Sequence, residues 1–149
     1  MFTDEIRSRF VRSQELFREL VASIAEPVLA ECLPGLPSNS IGAQLWCVVG
    51  ARESYGRAIE AGEWSGFACS LSGESTHVRD RVLAALEASS ARLLEIFDGV
   101  EWSAATCALA LDCLEHEASH QGQLIRYLYG LDLEIPPGWQ DRYALTPRR

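Results

Sequence analysis

The sequence has no apolar run approaching the roughly 20 residues needed to cross a bilayer, so no membrane span is expected. It is short of basic residues: 13 Lys and Arg stand against 21 Asp and Glu, for a formal net charge of −8. A nucleic-acid backbone calls for a cluster of Lys and Arg, and the terminal pair Arg148 and Arg149 does not supply one. No C-x-x-C pair occurs. The five cysteines, Cys32, Cys47, Cys69, Cys107 and Cys113, are odd in number and widely spaced, which favours free thiols or metal ligands over a disulfide framework. No segment alternates apolar and polar residues as a strand would, and no internal repeat or low-complexity tract is visible. Residues 1–10 interleave charged and apolar side chains and lack the apolar centre of a signal peptide. The expected location is the cytoplasm.

What is present is the material of one globular domain. Apolar residues make up 48% of 149, enough to bury a substantial core and too many for a disordered chain. Four segments carry helical periodicity. The first is expected from about Asp4 to Glu31 after an N-cap at Thr3, with Ile6, Phe10, Phe17, Leu20, Ile24 and Val28 on one face and a kink at Pro27. The second is expected from about Asn39 to Ala61, capped by Ser38 or Ser40. The third begins after Ser75 or Thr76 and ends near Phe97, with Val78, Val82, Leu86, Leu93 and Ile96 inward. The fourth runs from about Ser103 to Gly130, where a C′ glycine is expected. The tail from Leu131 contains Pro136-Pro137 and is expected to be extended, pinned to the bundle surface by Trp139 and Tyr143. An all-α four-helix bundle with an extended C-terminal tail follows.

The sharpest chemical feature is His116-Glu117-Ala118-Ser119-His120. Histidines four apart on a helix share a face and reach one ion. Both also fall on the inner stripe of the fourth helix, with Leu109, Cys113, Gln123 or Leu124, and Tyr127. Two imidazoles turned into a core need partners for their ring nitrogens; a shared divalent metal supplies one, and ordinary hydrogen bonds to nearby side chains are the alternative. The five residues also match H-E-x-x-H, the zinc-peptidase pattern. The extended form of that pattern wants a histidine where Arg126 stands, and Glu134 is the nearest downstream carboxylate. Glu117 is expected a quarter turn off the His116 direction, facing a neighbouring helix or solvent. Peptidase activity is therefore a remote alternative.

A third ligand is expected from another helix. The second helix carries a small, polar stripe, Ser40, Gln44, Cys47, Ala51, Ser54 and Ala58, beside the apolar Ile41, Leu45, Val48, Tyr55 and Ile59. Cys47 is the good metal ligand among them, although a free cysteine is also a small hydrophobe, and spacing alone does not separate the two. A thiolate with two imidazoles suits zinc, and also nickel, cobalt or iron. Cys113 is read as core, and Cys32, Cys69 and Cys107 as lying near helix ends or loops. His77 is expected to be solvated. Ser13 and Ser89 interrupt apolar stripes, each to line a polar cavity or to bond a backbone carbonyl. Trp46 and Trp139 are packing anchors that can flank a pocket.

The stretches Ser40–Tyr55 and His116–Leu124, followed by Gly130 and a Pro-Trp tail, resemble the DinB/YfiT-like superfamily of bacterial four-helix bundles across nearly the whole chain. The resemblance implies a metal triad of one second-helix histidine and the H-x-x-x-H pair. Carried over by position, the pair is His116 and His120, and the second-helix position is Cys47, a departure from the family's histidine. It further implies a zinc or nickel cofactor and a transferase or isomerase that uses a low-molecular-weight thiol and an electrophilic small molecule. A homodimer is implied too. The alternative is a non-catalytic stress-response bundle with a structural or vestigial site.

Overall fold

The computed structural model describes residues 2–147. Arg148 and Arg149, and Met1 of the N-terminal stretch, lie outside them. Five helices follow in order: α1 Phe2–Ser23, α2 Ile41–Ala61, α3 Arg79–Gly99, α4 Ala104–Gly130 and α5 Pro137–Tyr143. No strand occurs among the described residues. The four long helices form the bundle: α1 and α2 each pack against both α3 and α4, so each of those two pairs occupies a diagonal.

The helix ends obey local chemistry. Ser40 caps α2, its side chain accepting from Ala43 N–H, and Ser103 caps α4 by accepting from Thr106 N–H. α2 stops at Gly62, whose φ of 77° is the left-handed value that glycine adopts without strain. α1 stops at Ser23, well short of Glu31, and Pro27 opens a separate 3₁₀ turn, Glu26–Ala30, instead of kinking a continuous helix. The reason is steric: proline has no N–H and its ring clashes with the carbonyl four residues earlier, which is Ser23. Thr3 lies inside α1 rather than capping it.

Three other ends differ from expectation. α3 starts at Arg79, after a 3₁₀ turn Glu74–His77, so Val78 sits at its N-cap and is exposed instead of inward. Gly130 closes α4 in helical conformation, with Leu131 at the cap. The chain passes close there: a Cβ at Gly130 would meet Leu33 Cδ1 at 2.5 Å, and the leucine side chain would have to shift. The tail is extended over 133–136, but then turns into α5. Trp139 goes beyond pinning a surface: it is fully buried, donates from Nε1 to the Leu16 carbonyl at 2.7 Å and packs edge-on to Phe17.

The core has two apolar halves. One contains Leu20, Leu29, Leu45, Val48, Leu86, Leu124 and Trp139. The other contains Ile6, Phe10, Ile59, Leu93, Phe97 and Cys113. Between them each long helix contributes a buried polar residue: Ser13 from α1, Arg52 from α2, Ser89 from α3, Glu117 and Gln121 from α4. The candidate site lies at this level of the bundle.

Candidate metal centre

Cys47 projects from α2 and His116 and His120 from α4, and their donor atoms all lie within 4.8 Å of one another. Cys47 Sγ is 3.5 Å from His116 Nε2, and the two Nε2 atoms are 3.2 Å apart. These separations suit a shared ion. Tetrahedral coordination at ordinary zinc bond lengths places two imidazole nitrogens roughly 3.3 Å apart and a sulfur roughly 3.6 Å from a nitrogen. The small α2 stripe, with Ala51 buried beside Cys47, lets α4 approach closely enough to bring the donors together. Cys47 and His116 are partly exposed and His120 is buried, so the cluster opens toward the surface on one side.

The electrostatics suit ligation as well. Burial, and then the neighbouring His116, push the His120 pKa down to about 4. Burial also lowers that of His116, against a smaller opposing pull from Glu117. Both rings are therefore neutral at neutral pH and keep the lone pairs that ligation needs. His120 Nδ1 lies 2.5 Å from Gln44 Oε1. With that carbonyl accepting, the proton sits on Nδ1 and the Nε2 lone pair faces the cluster, the outer-shell arrangement that orients metal-ligating histidines. His116 lacks the equivalent: its Nδ1 is buried without a hydrogen-bond partner. Burial raises the Cys47 thiol pKa, so without a nearby cation the sulfur stays protonated.

Glu117 faces a neighbouring helix, one of its two expected surroundings, and its partner there is what the sequence did not show. Glu117 is fully buried and forms an ion pair with Arg52, which is equally buried. Arg52 Nη2 also donates to Glu117 Oε2 at 3.3 Å, and its Nη1 donates to Gln14 Oε1 at 2.6 Å and the Leu86 carbonyl at 3.0 Å. Ser13 donates to Glu117, Gln121 Nε2 donates to Ser13 at 2.7 Å, and Tyr143 donates to Gln121. A carboxylate held this way is engaged away from the cluster, unlike the general base of a peptidase. Glu134 is exposed on the tail and Arg126 is exposed on α4, so neither joins the cluster.

No protein-family model matches the chain, and no curated protein matches it at a significant level. The site must therefore be argued from its own atoms. Cys113 is fully buried in the second apolar half, and burial raises its thiol pKa strongly, as a core residue requires. Cys69 is half-buried and Cys32 exposed, and His77 is exposed as expected. Ser89 donates to the Leu86 carbonyl at 3.1 Å, whereas Ser13 joins the polar network, so the two serines realise the two alternatives separately. Trp46 anchors the 62–73 loop through Leu71 and Phe67, and Trp139 lies in the core.

Sequence reasoning did not assign Arg52, Gln44 or Gln121 a role, and it gave Tyr143 that of pinning the tail, not of bonding Gln121. The signal for Arg52 was a gap: it occupies the step between Val48 and Tyr55 in an otherwise apolar stripe. Gln44 bonds His120, and its effect there is testable. Gln44→Leu removes the acceptor for His120 Nδ1, and zinc affinity is expected to fall about 10- to 100-fold with the fold intact. Competition titration against a chromogenic chelator measures it.

Proposed function

We propose that this chain is a metal-dependent enzyme of the DinB/YfiT-like kind, in which Cys47, His116 and His120 hold a divalent ion, zinc or nickel, and a low-molecular-weight thiol is transferred to, or isomerises, an electrophilic substrate. The convergence of one thiol and two neutral imidazoles at ligand spacing carries this reading. Three protein donors are the number a catalytic site offers, leaving a position for substrate, and the partial exposure of Cys47 and His116 supports access to it.

A bound divalent cation lowers the pKa of a thiol, so that its reactive thiolate exists at neutral pH. The chain's own residues set up the rest. Gln44 fixes the His120 tautomer, and burial keeps both imidazoles unprotonated. Arg52 and Ser13 hold Glu117 out of the reaction, which supports thiol chemistry over peptide hydrolysis.

The test is turnover. Protein reconstituted with zinc or nickel is expected to consume thiol in the presence of an electrophile from a panel of epoxides, halides and enones. Cys47→Ala and His120→Ala are expected to reduce that rate to the uncatalysed background. Stoichiometrically loaded protein that turns over none of the panel would leave the non-catalytic bundle as the better account.

A further inference from the structure

A cleft of about 530 Å³ opens at the N-terminal end of α2 and the C-terminal end of α4, within the size range of small-molecule sites. Gln44 lines it, and the same side chain accepts from His120 Nδ1. Gln123 lines it too, one turn along α4 from His120. The cleft therefore meets the candidate metal centre through Gln44 and the His120 ring, with Cys47, His116 and His120 themselves outside its lining. Leu33, Pro37 and Tyr127 give it apolar walls.

Its charge is simple. Arg126 is the one charged residue in the lining, in a chain whose formal charge is −8. It pairs with no carboxylate among the described residues. The sequence explains why: the positions three and four away on α4 are Gln123, Tyr129, Gly122 and Gly130, none of them acidic. A guanidinium in a cleft otherwise lined by amides, two hydroxyls and apolar carbon is suited to a carboxylate. Gln44, whose carbonyl is taken by His120, and Gln123 offer amide N–H groups in the same lining.

We infer that this cleft binds the body of the thiol substrate and that Arg126 engages its carboxylate, so that the substrate class is a peptide-like thiol acid. The helix rise from His120 to Arg126 is about 9 Å, so the carboxylate sits several bonds from the sulfur, as in a short peptide, and not adjacent to it. The inference rests on the thiol chemistry proposed above, but binding in the cleft can be measured apart from it.

S-methylglutathione keeps the peptide body and carboxylates and has no free thiol to coordinate a metal. Calorimetric titration is expected to show it binding the wild-type protein, with affinity falling about tenfold in Arg126→Gln. The diethyl ester of the same compound is expected to bind the wild type about tenfold more weakly, with no further loss in the variant. Arg126 is exposed, so the variant keeps its fold and its metal content. Absence of binding to wild type, or equal affinity in Arg126→Gln, overturns the inference even where the metal site loads fully. Arg126-dependent binding to a protein that takes up no metal upholds the cleft while removing the metal reading.

Discussion

Glu117→Ala is expected to lower the unfolding free energy of the metal-free protein by about 3–5 kcal/mol. The residue is fully buried, its partner Arg52 is 1% exposed, and the two are in direct ion-pair contact. Removing the carboxylate leaves a guanidinium in the interior that Gln14 and the Leu86 carbonyl still contact but no anion neutralises. Ser13 loses its acceptor at the same time. For a domain whose total stability is on the order of 5–15 kcal/mol, that is a large fraction. The double substitution Arg52→Met with Glu117→Leu removes both charges, and is expected to recover most of the loss, because paired burial of charge adds little net stability over apolar packing. Urea denaturation followed by circular dichroism measures both. A single-variant loss below about 1 kcal/mol would mean that water reaches Arg52 and that the pair is not the sealed contact described.

Trp139→Ala is expected to lose about 3–5 kcal/mol, a value typical of a large aromatic removed from a core. The indole is fully buried in the larger apolar half, and it also supplies the Nε1–H bond to Leu16. Its loss undocks α5 from α1. Trp139→Phe keeps an aromatic ring against Phe17 and loses the hydrogen bond, so a smaller loss of about 1–2 kcal/mol is expected. Tyr143 would follow α5, taking with it the bond to Gln121. If Trp139→Ala unfolds at the wild-type midpoint, α5 is a surface appendage and not part of the core.

The parts of the fold legible in the sequence were those set by periodicity. Ile6, Phe10, Phe17 and Leu20 repeat at helical spacing, and all four are buried. The same holds for Val82, Leu86, Leu93 and Ile96 on α3. The ends were less legible because they depend on single residues acting at a distance along the chain. Pro27 terminates α1 at Ser23, four residues back, and Gly130 ends α4 in helical conformation against the Leu33 side chain of a distant segment. Pro136-Pro137 reads as a break, yet Pro137 is also well suited to open a helix, and α5 uses it so.

The candidate site divides in the same way. Residues His116, His120 and Cys47 were legible because helical spacing puts the histidines on one face and leaves one strong ligand on the facing small stripe. Arg52–Glu117 was not, because patterning treats a charge as a mark of solvent, and it takes the facing helices to show that two such positions coincide inside the bundle. Gln44 was visible in the stripe without a role. Its role depends on a side-chain contact with His120, 76 positions away in the chain, which one-dimensional spacing does not encode.

The central claim is that Cys47, His116 and His120 act together as a metal site. The most direct test is metal content by mass spectrometry on untagged protein, wild type beside Cys47→Ala and His120→Ala. The account predicts near one equivalent of zinc or nickel in wild type and almost none in either variant, with all three proteins folded by circular dichroism. A wild type that is metal-free as purified and takes up neither zinc nor nickel on addition would contradict it, and Cys47 would then be a half-buried thiol beside two histidines and no more.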